Sequence, residues 1–470
     1  MIIYRFLRDL RLDDHAGLAA CAAYGEIVPV LVIDSELIAR LRLSPRRAAF
    51  YCAAIASLDR NLRERGSALV IRRGDAKKIL PALARETGAE IVAWSNAYDK
   101  EGVESDEALQ SALEEKGRRV LRVHDAPAIP PEEIAVARAS DGDGYRAFVP
   151  YYERWREMEP ASHELPLLVA FARDTVAGEP LPECTEFGSD IAQAADALAP
   201  RGRLDTFLQH DALQYGLALN VPSDDRTSHL GPDLSFGTIA ARTVVRETRA
   251  RFDDPFLPAE ERNSLKLFLR ALAMRDFFLQ LSWYHPETSH EPLQEKMRRF
   301  RFLEKHPALT AWREGMTGFP LVDAGIRQLH ETGWMHPRVR ALAASFLCFD
   351  LGVDWRIGRA EWDRFLIEDD YALATGNWQW IAGVGADMAQ YPRIYNPRRQ
   401  ARQFDPLGMF VRRYIPELSN VPTGKLYGSE NGDTQIELPL FSMQAYPRPV
   451  VDHDRAARDF LARYTEHLRA

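Results

Sequence analysis

The sequence predicts an α/β domain built on a doubly wound parallel sheet, followed by a larger all-α domain. In the first 125 residues, five short apolar segments alternate with amphipathic stretches long enough to form helices. This alternation is typical of parallel strands with helices on both faces of the sheet. From residue 201 onward, apolar residues recur with helical spacing and the strand signals stop. We therefore expect an α/β domain over residues 1–125, an interdomain linker over 126–200 and a helical domain over 201–470.

The elements of the first domain can be assigned in order. The predicted strands are the segments IIYRF, IVPVLVI, ALVIRRG, EIVAWS and RVLRVHD. Helices are predicted from Pro45 to Gly66 and from Asp75 to Gly88, because glycine is a common residue just after a helix. No GxGxxG motif follows the first strand, so a Rossmann-type dinucleotide site is not supported. Prolines and short polar segments between residues 126 and 200 predict a surface linker.

Composition narrows the class of protein. The 470 residues are 46% hydrophobic and 27% charged, as expected of a globular chain with a substantial core. No apolar run approaches the roughly 20 residues of a membrane span, and the arginines and aspartates near the N-terminus do not fit a signal peptide. We therefore expect a cytoplasmic protein. The scattered Cys21, Cys52, Cys184 and Cys348 predict reduced thiols and no metal site.

The net charge of −8 hides a local excess of arginine. Between residues 393 and 413 six arginines accompany a single acid, Asp405. A basic stripe of this kind can neutralise several phosphates of a nucleic acid. It is also compatible with a solvated, arginine-rich turn, and charge alone leaves the two interpretations evenly balanced.

Residues 225–242 and 317–356 are the first two segments of the helical half whose side chains suggest a binding site. Thr227 and Ser228 place hydroxyl groups where a helix is expected to begin, which suits a phosphate. An ordinary helix cap is the simpler interpretation of these two residues. The second segment predicts two helices joined by a turn at Thr332 and Gly333, with Arg340 on the second helix. If Arg340 is buried, it needs an acidic partner.

Residues 367–397 form the third segment. Glu368, Asp369 and Asp370 are natural partners for Arg340, and Trp378 and Trp380 follow, with Trp355 upstream. The tryptophans either fill the core or, if held close together, relay an electron.

Together these segments resemble the DNA photolyase/cryptochrome family. The motifs RFLRDLRLDDHAGL, GDGYRAFVPYYERW, TSHLGPDLSFGTI, TGFPLVDAGIRQL, GWMHPRVR, DWR, GNWQW, YPRIYNP and QFDPLGMFVRRYIPEL occur in family order and spacing over residues 5–418. The resemblance implies FAD bound in the helical domain and driven by blue light. It places the electron relay at Trp378 and Trp355, where the third position of the relay falls at Phe302, and it retains Trp380 as a wall on which a base can stack.

The resemblance also implies the other site residues. FAD would be held by Tyr215, Thr227, Ser228, His229, Leu230, Gly231, Arg275, Arg340, Glu368, Asp369, Asp370 and, facing the flavin, Ala374. DNA would contact Arg338, Arg393, Arg398, Arg399 and Arg402. An antenna chromophore in the α/β domain, whether a deazaflavin, a folate or a flavin, would contact Arg47, Asn96, Asp99 and Glu101. Leu41 stands where folate-binding members tend to have histidine, and this difference favours a deazaflavin or a flavin over a folate.

Several positions depart from the repair pattern of the family. Ala271 and Met274 replace a glutamate and a tryptophan, and Pro337, Ala341 and Ala374 replace an asparagine, a methionine and a second asparagine. The leading interpretation is a photolyase that acts as a monomer on UV-damaged DNA and repairs pyrimidine dimers by electron transfer from excited, reduced flavin. The alternative is a cryptochrome-like photoreceptor with little or no repair activity.

Overall fold

The computed structural model describes residues 1–135, 142–163, 169–173, 176–191, 199–387, 389, 391–428 and 446–469. The chain folds as two compact units. Unit 1 comprises Met1–Leu213, Ser228–Ser289 and Ile367–Leu373, and unit 2 comprises Gln214–Thr227, His290–Leu366 and Ala374–Ala470. Parts of the predicted linker lie outside the described residues, and the boundaries expected at residues 125 and 200 stay predictions.

Unit 1 contains the predicted parallel sheet. Its strands are β1 (Ile2–Phe6), β2 (Ile27–Ile33), β3 (Val70–Arg73), β4 (Ile91–Ser95) and β5 (Arg119–Val123). They pair in the order β3-β2-β1-β4-β5, and every pairing is parallel. The first two strands are buried along their whole length because helices cover both faces of the sheet. The prediction of a doubly wound α/β fold is therefore confirmed.

The helices of unit 1 surround this sheet and continue beyond it. They are α1 (Ala16–Ala22), α2 (Ser35–Arg42), α3 (Pro45–Glu64), α4 (Ala76–Thr87), α5 (Lys100–Glu114), α6 (Pro131–Ala135), α7 (Phe148–Trp155) and α8 (Pro200–Gln209). After α9 (Tyr215–Ala218) in unit 2, unit 1 resumes with α10 (Gly231–Phe236), α11 (Ala241–Phe252) and α12 (Ala259–Tyr284). The side chains of Ser44 and Asp75 cap α3 and α4. Left-handed Gly88 follows α4, as the sequence predicts.

Unit 2 is helical over the residues that the structure describes. Its later helices are α13 (Leu309–Arg313), α14 (Pro320–Thr332), α15 (Pro337–Ser345), α16 (Trp355–Asp363), α18 (Pro397–Phe404), α19 (Met409–Tyr414) and α20 (His453–Arg469), while α17 (Tyr371–Ile381) begins in unit 1 and ends in unit 2. The predicted turn at Thr332 and Gly333 separates α14 from α15. A short π-helix, Phe346–Asp350, follows α15. Four buried tryptophans lie in the core of this unit: Trp312, Trp355, Trp362 and Trp378.

Within the described ranges, we find no helix that is both long and apolar enough to cross a membrane.

Candidate functional site

A cavity in unit 1 lies at the carboxyl ends of the parallel strands. It encloses about 970 Å³ of space, including its open mouth. Residues that follow β1, β2, β4 and β5 line it, because the carboxyl ends of parallel strands meet at one edge of a sheet and leave a crevice there. Of the residues predicted to contact an antenna chromophore, Asn96 and Asp99 line this cavity. Arg47 and Glu101 are not among the described residues that do so.

The cavity lining is acidic. Its carboxyl groups belong to Asp9, Asp34, Glu36, Asp99, Asp106, Asp125 and Asp370, and its guanidinium groups belong to Arg5, Arg8, Arg40 and Arg275. Arg40 lies 3.6 Å from Asp99, and Arg5 lies 3.5 Å from Asp34. Burial raises the pKa of Asp106 and of Glu36, as expected where several acids share a poorly hydrated space. The lining therefore disfavours a strongly anionic ligand.

Beside this cavity, Asp369 is held by arginines from the N-terminal part of unit 1. Arg8 donates to its carboxylate at 2.7 Å and Arg40 donates to it at 3.0 and 3.1 Å, while Arg47 lies 3.6 Å away. The Asp369 N–H donates to Ser235 Oγ at 2.8 Å. Burial alone would raise the pKa of Asp369, but the three arginines hold it well below its usual range. Asp369 is thus an ionised structural anchor, which the sequence did not indicate.

Arg47, which is predicted to contact an antenna chromophore, is one of the arginines beside Asp369. Its side chain is 1% exposed, and its guanidinium donates to the Glu368 carbonyl at 3.1 Å. Arg47 thus holds the backbone and side chain of the segment that begins at Glu368, and its role in chromophore binding stays a prediction.

Arg275 connects three elements of unit 1. From α12 it donates to the carbonyls of Ala126 at 2.8 Å and Leu234 at 3.1 Å, and its Nε lies 3.5 Å from Asp370. Asp370 in turn accepts from the Leu373 N–H at 3.1 Å, in the first turn of α17. The guanidinium is therefore fixed beside α10, the helix that follows the predicted phosphate loop.

The loop from Thr227 to Gly231 has an unusual backbone. His229 has φ of 49°, a left-handed conformation that is uncommon for a residue with a side chain and is found at functional turns. The expectation that Thr227 and Ser228 cap the helix is wrong. The N-cap of α10 is Leu230, whose side chain makes no cap bond, and the Ser228 Oγ only accepts a long bond of 3.4 Å from the Leu230 N–H. The Thr227 hydroxyl donates to Asp225 Oδ1 at 2.9 Å, whereas the Ser228 hydroxyl and the start of α10, which has no side-chain cap, offer donors that fit a phosphate.

In unit 2, the structure places the remaining predicted site residues on several elements. Tyr215 begins α9 and is buried, which raises the pKa of its phenol to about 12. Arg340 donates to the Met335 carbonyl at 2.7 Å, and its predicted pairing with an acid stays a prediction. Arg338 donates to Asn220 and stacks its guanidinium 4.8 Å from the centre of the Phe404 ring.

The positions that depart from the repair pattern are accessible to different degrees. Ala271 on α12 is exposed, and Met274 one turn later is partly buried. Ala341 on α15 and Ala374 on α17 are partly buried, and Pro337, the first residue of α15, is exposed. None of the five substituted side chains carries a charge or a hydrogen-bonding amide, so these positions offer apolar contacts only. The retained Trp380 on α17 is partly buried.

The buried tryptophans of unit 2 form a chain of rings that the sequence indicated only in part. The Trp378 and Trp362 rings lie 4.4 Å apart between centroids, and Trp362 stacks on Trp312 at 6.2 Å. Among described residues, no ring contact joins Trp378 to Trp355, the residue predicted to follow it in the relay. Trp355 and Trp362 are seven residues apart, so they lie on one face of α16. That spacing in DWRIGRAEW was the signal by which Trp362 could have been found.

The arginine stripe maps largely to α18 and its flanks. Arg399 is exposed, Arg398 lies over the Phe319 ring at 5.5 Å, and Arg402 donates to the Gly428 carbonyl at 2.6 Å. Arg393 is also exposed and lies 3.5 Å from Asp387. In the ranges that the structure covers, Arg398 and Arg399 have no carboxylate within ion-pair distance. Their charge is therefore available to a phosphate backbone.

Comparisons with known proteins match this architecture from end to end. The model described as DNA photolyase matches residues 2–169, and the model of the FAD binding domain of DNA photolyase matches residues 268–466. A deoxyribodipyrimidine photo-lyase of Halobacterium salinarum is 34% identical over 99% of this chain and 98% of that protein.

Solved structures agree. A bacterial class III photolyase from Agrobacterium tumefaciens superposes with a TM-score of 0.85 at 28% identity, covering 100% of this chain and 98% of that one. An archaeal photolyase from Sulfolobus tokodaii, solved with two FAD molecules and described as implying a novel light-harvesting cofactor, superposes with a TM-score of 0.83 at 26% identity over 99% of each chain. The full-length relationship, the parallel sheet and the helical half lead to one conclusion: the chain belongs to the DNA photolyase/cryptochrome family and contains that family's FAD-binding domain.

Proposed function

We propose that this chain is a light-driven DNA photolyase that repairs UV-induced pyrimidine dimers with reduced FAD. The observation that carries the proposal is the full-length relationship to a deoxyribodipyrimidine photo-lyase. The buried contact between Trp378 and a second indole supplies what such an enzyme needs in addition, namely a route by which electrons enter the FAD-binding domain. FAD contributes the light absorption and one-electron chemistry when it is bound.

The residues proposed to hold FAD fit its chemistry. The loop over residues 227–231 would take the pyrophosphate, and Arg275 would supply positive charge. This proposal is supported by the left-handed His229 and by the absence of a side-chain cap on α10 among described residues. Tyr215 is a further residue that we propose contacts FAD.

Of the three consecutive acidic residues 368–370, Glu368 and Asp370 would face the ribityl chain and the flavin. Asp369 would serve them indirectly, because the arginines that bind it fix the backbone of this triplet. Ala374 would leave the flavin edge without a polar contact from that side chain.

DNA would bind along α18. Family members act on damaged DNA, and the exposed Arg393 and Arg399 together with Arg398 and Arg402 offer the cations that a phosphate backbone requires. Arg338 would lie closer to the lesion, with Trp380 stacking on a flipped base. Blue light as the energy source, a cytoplasmic location and a monomeric working unit belong to the same proposal.

An antenna chromophore would occupy the part of the cavity that Asn96 and Asp99 line, since Arg275 and Asp370, which also line the cavity, are proposed to contact FAD. Asn96 and Asp99 lie at the carboxyl end of β4 and just before α5, and Glu101, a further proposed contact, lies in the first turn of α5. The acidic lining favours a chromophore without phosphate or glutamate groups, which is consistent with a deazaflavin better than with a folate.

One assay tests the repair function directly. The purified protein is reduced, mixed with DNA that contains cyclobutane pyrimidine dimers, illuminated with blue light, and the repaired lesions are counted against a dark control. We expect repair in the light only. A chain that binds FAD but repairs no dimer would contradict the proposal and favour the cryptochrome-like alternative, which the apolar Ala271, Met274, Ala341 and Ala374 support.

A paired variant sharpens this assay. Restoring the usual acid and indole, as Ala271→Glu with Met274→Trp, should raise the repair yield per photon, because these side chains add a hydrogen-bonding group and a stacking surface. Lys266→Glu, at an exposed position earlier on the same helix, is the control for a change of charge. A loss of repair in the restored variant would mean that the pocket recognises its lesion by another geometry.

A further inference from the structure

Two of the four cysteines of the chain lie beside each other in unit 1, although they are far apart in the sequence. Cys52 lies in the middle of α3, and Cys184 begins a short 3-10 helix, Cys184–Phe187. The Cys184 thiol is a hydrogen-bonding neighbour of the Cys52 thiol. Both cysteines are free and only half-buried, whereas Cys21 and Cys348 are fully buried. Unit 1 therefore contains a pair of adjacent thiols that a small solute can reach.

The segment that carries Cys184 packs along α3. The Ser189 hydroxyl donates to the carbonyl of Pro45, the first residue of α3, at 2.8 Å, and Phe187 belongs to the core cluster against which Cys52 packs. Pro45 and Cys52 are seven residues apart, so they lie on one face of α3, separated by about 10 Å along its axis. The chain from Cys184 to Ser189 is five residues long and spans a similar distance, at about 2 Å per residue in a 3-10 helix. Cys184 is thus level with Cys52 when Ser189 is level with Pro45.

The same segment covers an edge of the sheet. The Glu179 N–H donates to the carbonyl of Ile71 in β3 at 3.0 Å, and Arg73 at the end of β3 pairs with Glu179 at 3.1 Å and with Glu186 at 2.8 Å. β3 is the outermost strand on this side of the sheet, and an uncovered edge strand exposes unpaired N–H and C=O groups. A covalent bond between this segment and α3 would therefore secure the cover of an edge strand.

We propose that Cys52 and Cys184 form a reversible disulfide when hydrogen peroxide reaches them, and that this bond fastens the segment that covers β3 to α3. The proposal is independent of the proposed function, because neither light nor flavin takes part. In a reducing compartment the pair stays as two thiols until an oxidant appears. The bond is thus a response to oxidation and not a permanent part of the fold.

The surroundings of the two thiols set the order of the steps. Burial raises the pKa of the Cys52 thiol, and the hydrogen bond and charge of Cys184 raise it further. The thiolate is the form that reacts, so peroxide oxidises Cys184 first. The Cys184 sulfur takes up one oxygen and gives two electrons to the peroxide, whose other oxygen leaves as water, and a sulfenic acid remains.

The second step joins the two sulfurs. The Cys52 sulfur bonds to the Cys184 sulfur, the S–O bond of the sulfenic acid breaks, and the hydroxide leaves as water with the proton of Cys52. The sulfenic acid is neutral, so Cys184 no longer contributes a negative charge that holds this proton on Cys52. In total the two thiols lose two electrons and two protons, and a dithiol reductant reverses the reaction.

Oxidation of the purified protein in the dark tests the pair. The protein is exposed to a modest excess of hydrogen peroxide, alkylated in denaturant and digested without reductant. We expect mass spectrometry to find the peptides of Cys52 and Cys184 joined, and thiol titration to show that two of the four thiols are lost and that dithiothreitol restores them. The absence of the joined peptides, their joining to other cysteines, or a link between two chains would overturn the proposal.

Serine variants test the order of the steps. Cys52→Ser should leave Cys184 as a sulfenic acid that dimedone traps, whereas Cys184→Ser should leave Cys52 as a thiol. Cys21→Ser is the control, because burial raises the pKa of Cys21 to about 12, and this variant should form the disulfide as the wild type does. Equal loss of thiols in the Cys52 and Cys184 variants and in the wild type would overturn the proposal. The peptide map of the wild type stands even if a variant does not fold.

Hydrogen exchange measures the fastening itself. In the oxidised wild type, the backbone N–H groups of residues 176–191 should exchange at least about threefold more slowly than in the reduced protein, because local opening must then leave the segment attached to α3. In Cys184→Ser, the same peroxide treatment should leave these rates unchanged. Equal rates in the oxidised and reduced wild type, once the disulfide has formed, would overturn the role of the bond in holding the segment.

Discussion

The arginines of the two units are used in different ways. In unit 1, Arg8, Arg40 and Arg47 surround the buried Asp369, so their charge is neutralised inside the protein. On α18 in unit 2, Arg398 and Arg399 carry their charge where no described carboxylate pairs with them. A cation that is matched by a buried acid stabilises the fold, whereas a cation without such a partner is available to a polyanion. The count of arginines in a sequence segment does not distinguish these uses; the partners do.

A second buried network in unit 1 follows the same rule. Arg242 donates to Asp14 and to Asp125, each at 2.7 Å, and Arg11 donates to Asp125 at 2.9 Å. Burial opposes ionisation of Asp125, but Arg11 and Arg242 keep its pKa well below the usual range. The cluster of Asp9, His15 and Asp125 has a spacing that could hold a cation, yet these arginines already balance its negative charge. The network is therefore understood as structural.

The largest expected effect comes from breaking the Asp369 anchor. Asp369→Asn should lower the free energy of unfolding by about 3–5 kcal/mol at neutral pH, because it removes the buried carboxylate that Arg8, Arg40 and Arg47 share. The measurement is urea denaturation monitored by circular dichroism. Asp13→Asn is the matched control; its side chain is 98% exposed and lies 3.8 Å from Arg65, so we expect a change below about 0.5 kcal/mol.

The direction in which the pKa of Asp369 is shifted determines how its contribution to stability depends on pH. Because the folded-state pKa of Asp369 is lowered, its stabilisation is present above the usual carboxyl pKa and is lost as the pH falls. The difference between wild type and Asp369→Asn should therefore narrow in strong acid. A difference that is small at neutral pH, or that widens in acid, would contradict the anchor.

The next largest effect concerns DNA binding and tests the arginines of α18 in unit 2. Reversing both Arg398 and Arg399 to glutamate should weaken binding to duplex DNA roughly ten- to hundredfold at low salt, and equally for different sequences. The slope of log affinity against log salt should flatten by roughly 0.9 for each phosphate that the protein no longer neutralises. Fluorescence anisotropy at several salt concentrations measures both quantities.

Arg63 provides the control for this variant. It is exposed but already pairs with Asp59 at 2.7 Å in unit 1, so Arg63→Glu should leave the salt slope unchanged. If the double variant on α18 keeps the wild-type slope, the exposed arginines of unit 2 are not the DNA surface. The comparison between the two sets of arginines would then fail on its functional side.

The sequence predicted the sheet and several helix ends because those features depend on local patterns. Apolar residues predominate in the strand segments from IIYRF to RVLRVHD, and Gly88 lies directly after the helix that it ends. The arginine partners of Asp369 come from residues more than 300 positions earlier. No local spacing records such a pairing, so it required the structure.

The tryptophans show the same limit within one helix. Family resemblance led to Trp355, while contact with Trp378 belongs to Trp362, seven residues later on the same face of α16. The periodicity indicated that both rings point in one direction, but not which of them meets α17. The structure adds that Gly358, which lies between them on α16, allows the Trp378 ring to approach this helix, because a Cβ at that position would come within 2.3 Å of the ring.

The smallest expected effect concerns Asp350 in unit 2, whose contribution to the free energy of unfolding should change with pH in the direction opposite to that of Asp369. Asp350 Oδ1 lies 2.6 Å from His453 Nδ1, and no arginine is paired with this carboxyl among the described ion pairs. Burial raises the pKa of Asp350 to about 6 against the pull of His453, and the hydrogen bond to Asp350 raises the pKa of His453 despite burial. The folded pair therefore holds protons more strongly than the unfolded chain does. Its stabilisation is present at mildly acidic pH and is lost as the pH rises through neutrality.

Asp350→Asn tests this sign. Asparagine keeps the shape and can still accept a hydrogen bond from His453, but it does not titrate. Between about pH 5.5 and pH 8, the variant should lose up to about 1 kcal/mol of the wild-type pH dependence in the free energy of unfolding, measured by urea denaturation at each pH. Asp14→Asn is the control from unit 1. The pKa of Asp14 is held well below this range by Arg242 and hydrogen bonds despite burial, so its removal should shift stability equally at both pH values. If Asp350→Asn also changes the free energy of unfolding equally at both pH values, then the Asp350–His453 pair does not titrate in this pH range. The buried acids of the two units would then behave alike.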